Sequence, residues 1–359
     1  MRKEGIDMKK KFEIGLYTLG DHMPNPKTGT LISEQQRIED IIQAAKLADA
    51  YGMDLFAVGE SHQEHFISQA HALILAAIAR ETKNIIVSSS ASVLSTSDPV
   101  RVYEDFSTLD LISDGRAEIV AGRASRLGGF ELLGFNVRDY EELFEEKMEL
   151  LTMLNNEETI NWRGRFRAPL ENAHLLPKPK NGKLPIWRAV GGPPASAVKA
   201  GIAGVPMILA TLAGPASLFN HSVETFRKHW KAYGHNPEEA KVGITALFHT
   251  QETDTDALRS FYPHLDQGFK MANGTGFSME LMADSIDVRQ AMLVGSPQTI
   301  VDKILYQYDL YQHDRLMIQL DMGGIPFDEV SRQIKVLAEE IIPAVRAGIE
   351  AREAVKEQQ

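Results

Sequence analysis

The chain has 359 residues, of which 43% are hydrophobic and 24% charged, the composition of an ordinary globular protein that can bury a sizeable core. Its 38 basic and 49 acidic side chains give a net charge of −11, which argues against a general nucleic-acid-binding protein and against a polybasic membrane-surface protein. The sequence has no cysteine, so disulfide bonds, thiolate metal sites and a cysteine nucleophile are excluded.

The N-terminal segment 1–11 is rich in basic residues but has no apolar segment behind it, so it does not have the pattern of a signal peptide. No later apolar run is long enough to span a bilayer. We therefore expect a cytoplasmic protein without a membrane partner, and we expect residues 1–11 to form a disordered lead-in.

Predicted strands and helices alternate along the chain. A strand over 12–19 is followed by a capping box of Ser33 and Gln36, which predicts the start of the first helix. The later predicted strands lie at 54–58, 85–90, 116–121, 184–190, 206–210, 242–250 and 315–320. Each strand is followed by a helical pattern. We expect insertions after the fourth and the seventh strand, and the second insertion, 253–292, has no simple strand–helix rhythm.

Eight β/α repeats in one chain predict a single domain over residues 1–359, a closed (β/α)8 TIM barrel rather than a two-domain doubly wound sheet. In such a barrel, the functional residues lie in the loops that follow the C-terminal ends of the strands. These loops should therefore form one mouth, and the polar and glycine-rich positions in them are the candidates for function.

The pair Gly122-Arg123 ends the fourth strand and is a candidate anion site. A glycine allows close backbone approach, and a guanidinium can bind an anion. The helix before this strand should begin at Asp98-Pro99, because aspartate is a good N-cap and proline suits the first helical position. The alternative is a βαβ unit that ends in an ordinary surface arginine.

The segment Gly191-Gly192-Pro193 joins the fifth strand to the helix that follows it. Two glycines allow backbone N–H groups to face an anion, and the helix N-terminus adds a favourable dipole. The alternative is a plain turn between strand and helix.

Histidines are the candidates for proton transfer, because the pKa of an unperturbed imidazole lies near neutrality. His62 and His65 lie in the loop after the second strand, and His249 lies at the end of the seventh. The alternatives are surface histidines in the loop and a core histidine at position 249. Gln319 and Asp321 at the eighth strand are further candidates. The histidines are not spaced as in a standard zinc signature, so we predict no metal site.

Several blocks of the sequence together resemble the bacterial luciferase-like family of flavin-dependent monooxygenases. The central block consists of Asp98-Pro99-Val100-Arg101, Glu104-Asp105, Leu109-Asp110, Ser113-Asp114-Gly115-Arg116 and Gly122-Arg123. Blocks at 54–66, 184–200 and 294–297 also match, so the resemblance covers nearly the whole chain in the expected order.

The resemblance implies an FMN-dependent monooxygenase that oxidises a small organic substrate. Reduced FMN, supplied by a separate NAD(P)H:flavin reductase, would react with O₂ to give a C4a-(hydro)peroxyflavin. Family members commonly form homodimers on the side of the barrel that corresponds to the predicted helices 70–80 and 100–112.

The resemblance also implies which residues bind the cofactor. The residues that match the FMN phosphate site are Arg123, Gly191, Gly192 and Pro193, and Gly122 beside Arg123 is a further cofactor-binding position. Ser90-Ala91 matches the place where the family often has a non-proline cis peptide bond behind the flavin ring.

The loop after the second strand departs from the family pattern. In Gly59-Glu60-Ser61-His62, a serine replaces the first histidine of the family's histidine pair. The role of that histidine cannot be carried over to Ser61, and His62 or His65 would take a related place. Two other functions stay open, namely hydride transfer with a deazaflavin, which relatives on this barrel use, and flavin binding without turnover.

Overall fold

The computed structural model describes residues 12–124, 126–191 and 194–357. Within these residues, eight parallel strands form a closed barrel in which each strand pairs with the next and the last pairs with the first. The strands are β1 Glu13–Thr18, β2 Leu55–Val58, β3 Ile86–Ser89, β4 Ala117–Gly122, β5 Ile186–Val190, β6 Met207–Ala210, β7 Val242–Thr250 and β8 Arg315–Gln319. This architecture confirms the predicted (β/α)8 barrel.

Helices follow every barrel strand and form the outer layer. They are α1 Glu34–Ala50, α2 His71–Glu81, α3 Pro99–Ile112, α4 Gly128–Leu132, α5 Tyr140–Asn156, α6 Pro194–Ala203, α7 Ser217–Ala232, α8 Asp254–Asn273, α9 Met279–Asp284, α10 Pro297–Tyr311, α11 Phe327–Val336 and α12 Ile342–Glu357. A π-helical segment, Leu337–Ile341, joins α11 to α12. Within the described ranges, no helix is both long enough and apolar enough to cross a membrane.

The two longest connections follow β4 and β7. The first contains α4, α5 and a two-stranded antiparallel hairpin of Ile160–Trp162 with Leu170–Ala173. The second contains α8, α9, the short strand Leu293–Gly295 and α10. It is more regular than the sequence predicts, because α8 is one continuous helix despite Pro263 in its interior. A proline removes one helical hydrogen bond, and it therefore obscures the helical pattern in the sequence.

The interior of the barrel below the mouth is filled by side chains. An apolar cluster occupies it, formed by Tyr17, Leu55, Ala57, Val120, Trp187, Ile208 and Met317. Beside this cluster, the buried guanidinium of Arg315 lies over the Trp187 ring at 4.5 Å. It donates hydrogen bonds to Glu118, at 2.5 and 3.2 Å, and to Glu13, at 2.7 Å. The barrel is thus a packed core, and the residues for chemistry must be sought at its mouth.

Candidate active site

The ends of β2, β3 and β4 form a floor of backbone and small side chains at the mouth. A Cβ added at Gly122 would lie 2.8 Å from the Cβ of Ala91 and 3.3 Å from that of Ala189, so a larger residue does not fit there. A Cβ added at Gly59 would collide with the carbonyl group of Ser90. The Ser90–Ala91 peptide bond is cis, as the resemblance led us to expect. The ends of these strands thus pack closely against one another at the mouth.

A carboxylate–imidazole pair lies at the edge of this floor. His62 Nε2 lies 2.6 Å from Glu60 Oε1, and Glu60 Oε2 accepts a hydrogen bond of 2.8 Å from the backbone N–H of Val93. His71 Nδ1 lies 3.7 Å from the same Oε2 atom. The His62 ring packs against Gly129 and remains 15% exposed. His62 is therefore both oriented by a carboxylate and accessible, and these are two requirements for proton transfer.

The structure places His65 in the same loop, where its contacts differ from those of His62. Its backbone is left-handed, with φ 71°, and its carbonyl oxygen accepts a 2.7 Å hydrogen bond from the N–H of His22. Its Nε2 atom lies 4.0 Å from the exposed carboxylate of Glu64. The contacts of His65 thus connect the loops after β1 and β2.

His249 lies in a separate, buried environment between β7 and α8. Its Nε2 atom lies 2.8 Å from Ser260 Oγ, and its ring stacks on Phe261 with the ring centroids 5.0 Å apart. Burial lowers the pKa of His249 to about 3. The ring is therefore neutral near pH 7. The sequence left open whether His249 transfers protons or is a core histidine, and its contacts are those of a core histidine.

Arg123 follows β4 and is bound to α5 in this structure. Its guanidinium forms an ion pair with Glu141 and lies 5.4 Å from the centre of the Tyr140 ring and 6.0 Å from that of Phe144. Lys199 Nζ lies 3.5 Å from the other oxygen of Glu141. One carboxylate thus holds two cations, one from the end of β4 and one from α6.

The segment at the start of α6 carries the other predicted phosphate ligands. Gly191 is exposed, and among the described residues nothing lies within 4 Å of a Cβ added there. Gly192 and Pro193 lie outside the described residues. Because Lys199 belongs to α6 and shares Glu141 with Arg123, the structure brings Arg123 close to the helix that begins after Gly191.

A second group of charged side chains lies at the ends of β1 and β8. Asp21 is 4% exposed and accepts hydrogen bonds from the Gln319 amide at 3.3 Å and from the N–H of Gly323 at 3.2 Å. Asp321 forms an ion pair with Arg37, whose Nε atom also donates to the backbone carbonyl of Asp21 at 2.7 Å. Burial, and after it the nearby Asp321 carboxylate, raises the pKa of Asp21 to about 6.

Two of these side chains were not singled out from the sequence. Glu60 lies two residues after β2 and two residues before His62, so its position was the available signal. Asp21 lies three residues after β1. Both residues belong to loops that follow a barrel strand, which is where functional residues of this fold concentrate.

The chain belongs to the luciferase-like monooxygenase family, because the model of that family matches residues 12–313. It is 22% identical to the luciferase-like monooxygenase of Escherichia coli strain K12 over 86% of this chain and 95% of that protein. It is 21% identical to the oxygenase component of the flavin-dependent trigonelline monooxygenase of Acinetobacter baylyi, over 87% of this chain and 91% of the relative.

Solved structures share the fold. The oxygenating constituent of 3,6-diketocamphane monooxygenase from Pseudomonas putida, in complex with FMN, superposes with a TM-score of 0.73 at 19% identity, over 93% of this chain and 98% of that one. An F420-dependent secondary alcohol dehydrogenase superposes with a TM-score of 0.70 at 17% identity, over 93% and 99% of the two chains. The same barrel thus serves flavin and deazaflavin enzymes.

Proposed function

We propose that this protein is an FMN-dependent monooxygenase that uses reduced flavin and O₂ to oxidise a small organic substrate. The observation that carries the proposal is the match of the luciferase-like monooxygenase family to residues 12–313, on a barrel whose mouth brings Gly122 against Ala91. Bound reduced FMN supplies the electrons, so that one oxygen atom enters the substrate and the other leaves as water. The family match supports this chemistry.

The flavin would be held from two sides. Its ring would lie against Ser90, Ala91 and Gly122. Its phosphate would bind to Arg123 and to the backbone at Gly191, together with Gly192 and Pro193. Arg123 is preorganised for this role because its side chain is stacked on the aromatic rings of α5. It must exchange the Glu141 carboxylate for the phosphate, which is an exchange of one charged acceptor for another.

His62 is the residue that would move a proton in this site. Because Glu60 binds Nε2, the ring is oriented and the other nitrogen, Nδ1, is left to exchange a proton with a bound substrate. His65 is the alternative residue for this role if His62 proves dispensable.

The protein would work with two kinds of partner. A separate NAD(P)H:flavin reductase would supply the reduced flavin, as the similarity to an oxygenase component suggests. A second copy of the chain would cover the groove between α2 and α3, a cavity of about 600 Å³. Leu73 on α2 is 75% exposed at this groove, and such an exposed apolar side chain favours contact with another protein surface.

A second candidate function is hydride transfer with a deazaflavin. The similarity to an F420-dependent enzyme of the same fold favours it, and both cofactors would need the same floor. A third is flavin binding without turnover, for which the serine at position 61 is the argument.

Two measurements distinguish these functions. In the first, reduced FMN and reduced F420 are titrated anaerobically, and we expect FMN to bind more tightly. In the second, the protein is supplied with a flavin reductase, ¹⁸O₂ and a panel of aldehydes, sulfonates, amines and heterocycles, and the products are analysed by mass spectrometry. One labelled oxygen atom in a product supports the monooxygenase. Preferred binding of F420 with unlabelled reduction products would favour hydride transfer, and failure to bind either cofactor would contradict both proposals.

A further inference from the structure

A cavity of about 480 Å³ adjoins the mouth where β8 meets β1. It lies between the loop that follows β1 and the loop that follows β8, with α1 and α11 as its outer walls. Its apolar lining consists of Met23, Ile32, Ile325, Phe327 and Val330. The volume is in the range of small-molecule sites, which combine mainly apolar walls with a few polar groups.

The polar groups of this cavity carry an excess of negative charge. Three carboxylates line it, those of Asp21, Asp40 and Asp321, against one arginine, Arg37. Arg37 is already paired with Asp321. Asp40 accepts a 2.8 Å hydrogen bond from the neutral amide of Gln36. The two hydrogen bonds that the Asp21 side chain accepts come from neutral donors, the amide of Gln319 and the N–H of Gly323. Among the residues that line the cavity, one arginine therefore does not balance three carboxylates.

With Arg126, two guanidinium groups act near the three carboxylates and offset part of their negative charge. His22 lines it, but its Nε2 atom is 2.8 Å from the carbonyl oxygen of Ile32. Arg126 acts on Asp21 from the side of the barrel mouth, and its guanidinium lies over the Phe66 ring at 4.5 Å. Lys27 is on the loop after β1 but does not line the cavity.

Burying a carboxylate is costly, and carboxylates whose pKa is shifted by burial are concentrated at functional sites. The raised pKa of Asp21 is the expression of this cost. In addition, Asp321 has one buried oxygen, Oδ1, without a hydrogen-bond partner in the part of the chain that the structure describes. Both carboxylates would be stabilised by a cationic hydrogen-bond donor in the cavity.

The location of the cavity fits a substrate pocket. In a barrel of eight strands, the β8–β1 side lies opposite the β4–β5 side, where Arg123 and Gly191 are located. The cavity and the proposed phosphate site therefore occupy opposite sides of one mouth. Asp21 and Asp321 follow the two strands at this side, and both line the cavity.

We infer that this cavity is the substrate pocket and that it takes a small molecule with a protonated amine on an apolar body. The ammonium group would bind to the Asp21 and Asp321 carboxylates, and the apolar body would pack against Phe327 and its neighbours. This inference rests on the proposed monooxygenase function and specifies its substrate class.

The test uses three probes of one shape and different charge: benzylamine, benzyl alcohol and benzoate. Their binding to the full chain, without flavin or turnover, is measured by ligand-observed NMR at about pH 7.5, where the amine is protonated. We expect benzylamine to bind about ten- to a hundredfold more tightly than benzyl alcohol, because a charge-assisted hydrogen bond replaces a neutral one. Benzoate should bind most weakly.

Variants locate the binding. Asp21→Asn and Asp321→Asn should each weaken benzylamine binding by about tenfold and leave benzyl alcohol binding nearly unchanged. Asp105→Asn, on the outer face of α3, is the matched control and should change neither. Should circular dichroism show that Asp321→Asn is misfolded, Asp21→Asn and Asp40→Asn provide the same comparison without breaking the pair with Arg37.

The outcomes separate this inference from the proposed function. Equal binding of benzoate and benzylamine, or benzylamine binding that is insensitive to all three aspartate variants, would overturn the assignment. If FMN binds as proposed but the amine is not preferred, only the substrate class is wrong. If the amine is preferred but FMN does not bind, the proposed function is wrong and the cation site remains.

Discussion

The ion pair between Arg123 and Glu141 provides a test of the phosphate site with two variants of opposite effect. In the structure, the guanidinium of Arg123 binds Glu141, whose side chain is 54% exposed. If Arg123 is the phosphate ligand, Glu141 competes with FMN for it. Arg123→Ala should therefore weaken FMN binding, and Glu141→Gln should strengthen it.

The magnitudes follow from the exposure of the two partners. A charge-assisted hydrogen bond from Arg123 to the phosphate contributes about 1.5–3 kcal/mol. Releasing an exposed ion pair costs about 0.2–1 kcal/mol. The difference of about 0.5–2.8 kcal/mol predicts a loss of about two- to a hundredfold in Arg123→Ala. Glu141→Gln removes only the competing pair and should tighten binding by up to about fivefold.

Fluorescence titration of FMN measures both effects, and it should be repeated at high salt, which weakens exposed ion pairs. Glu142→Gln serves as a control, because Glu142 is the next residue on α5 but pairs with Arg165 instead. FMN binding that is unchanged in Arg123→Ala, or weakened in Glu141→Gln, would refute the competition and remove Arg123 from the phosphate site.

Other consequences of the structure can be measured independently. His62→Gln should lower turnover by about 10²–10⁴-fold with FMN binding nearly unchanged, and full activity would exclude His62 as the proton carrier. Arg315→Met should lower the free energy of unfolding in urea by about 3–5 kcal/mol, because it leaves the carboxylates of Glu13 and Glu118 unpaired. The control Arg101→Met, on the surface of α3, should lower it by no more than about 1 kcal/mol. Burial lowers the pKa of His313 from 6.5 to about 3, so below pH 6.5 the unfolded chain binds a proton that the folded chain does not. The free energy of unfolding should therefore fall as the pH falls below 6.5, by up to about 1.4 kcal/mol per pH unit. The variant His313→Phe should reduce that slope. Leu73→Arg should convert a dimer into single chains in sedimentation, and a wild-type protein that sediments as one chain would contradict the homodimer.

Most of the fold could be predicted because its signals are local. The barrel strands are short apolar runs, and the first turns of several helices carry caps that are visible in the sequence. Ser33, Asp98 and Ser296 each accept a hydrogen bond from the N–H groups of the helix that follows. The exception is α8, where tertiary packing maintains a helix across Pro263 that local rules would interrupt.

The site was less predictable because it depends on contacts between distant segments. Strand ends indicated that Gly122 and Ser90-Ala91 belong to the mouth, since this follows from the order of elements alone. The partner of Arg123 comes from α5, eighteen positions further along the chain. Asp21 meets Gln319 across 298 positions because β8 pairs with β1 and closes the barrel. No sequence pattern encodes such a meeting.

The mouth has an asymmetric distribution of charge, and this asymmetry connects the two proposals. The floor at the ends of β2, β3 and β4 is built from neutral backbone and small side chains. On one side of it, Arg123 would provide a cation for the phosphate, and on the opposite side Asp21 and Asp321 would provide carboxylates for an ammonium group. An anionic cofactor and a cationic substrate would then approach from opposite sides, each attracted by the side that it contacts and repelled by the other. The same arrangement would disfavour an anionic substrate next to the buried carboxylates, and this is the physical reason why benzoate should bind most weakly of the three probes.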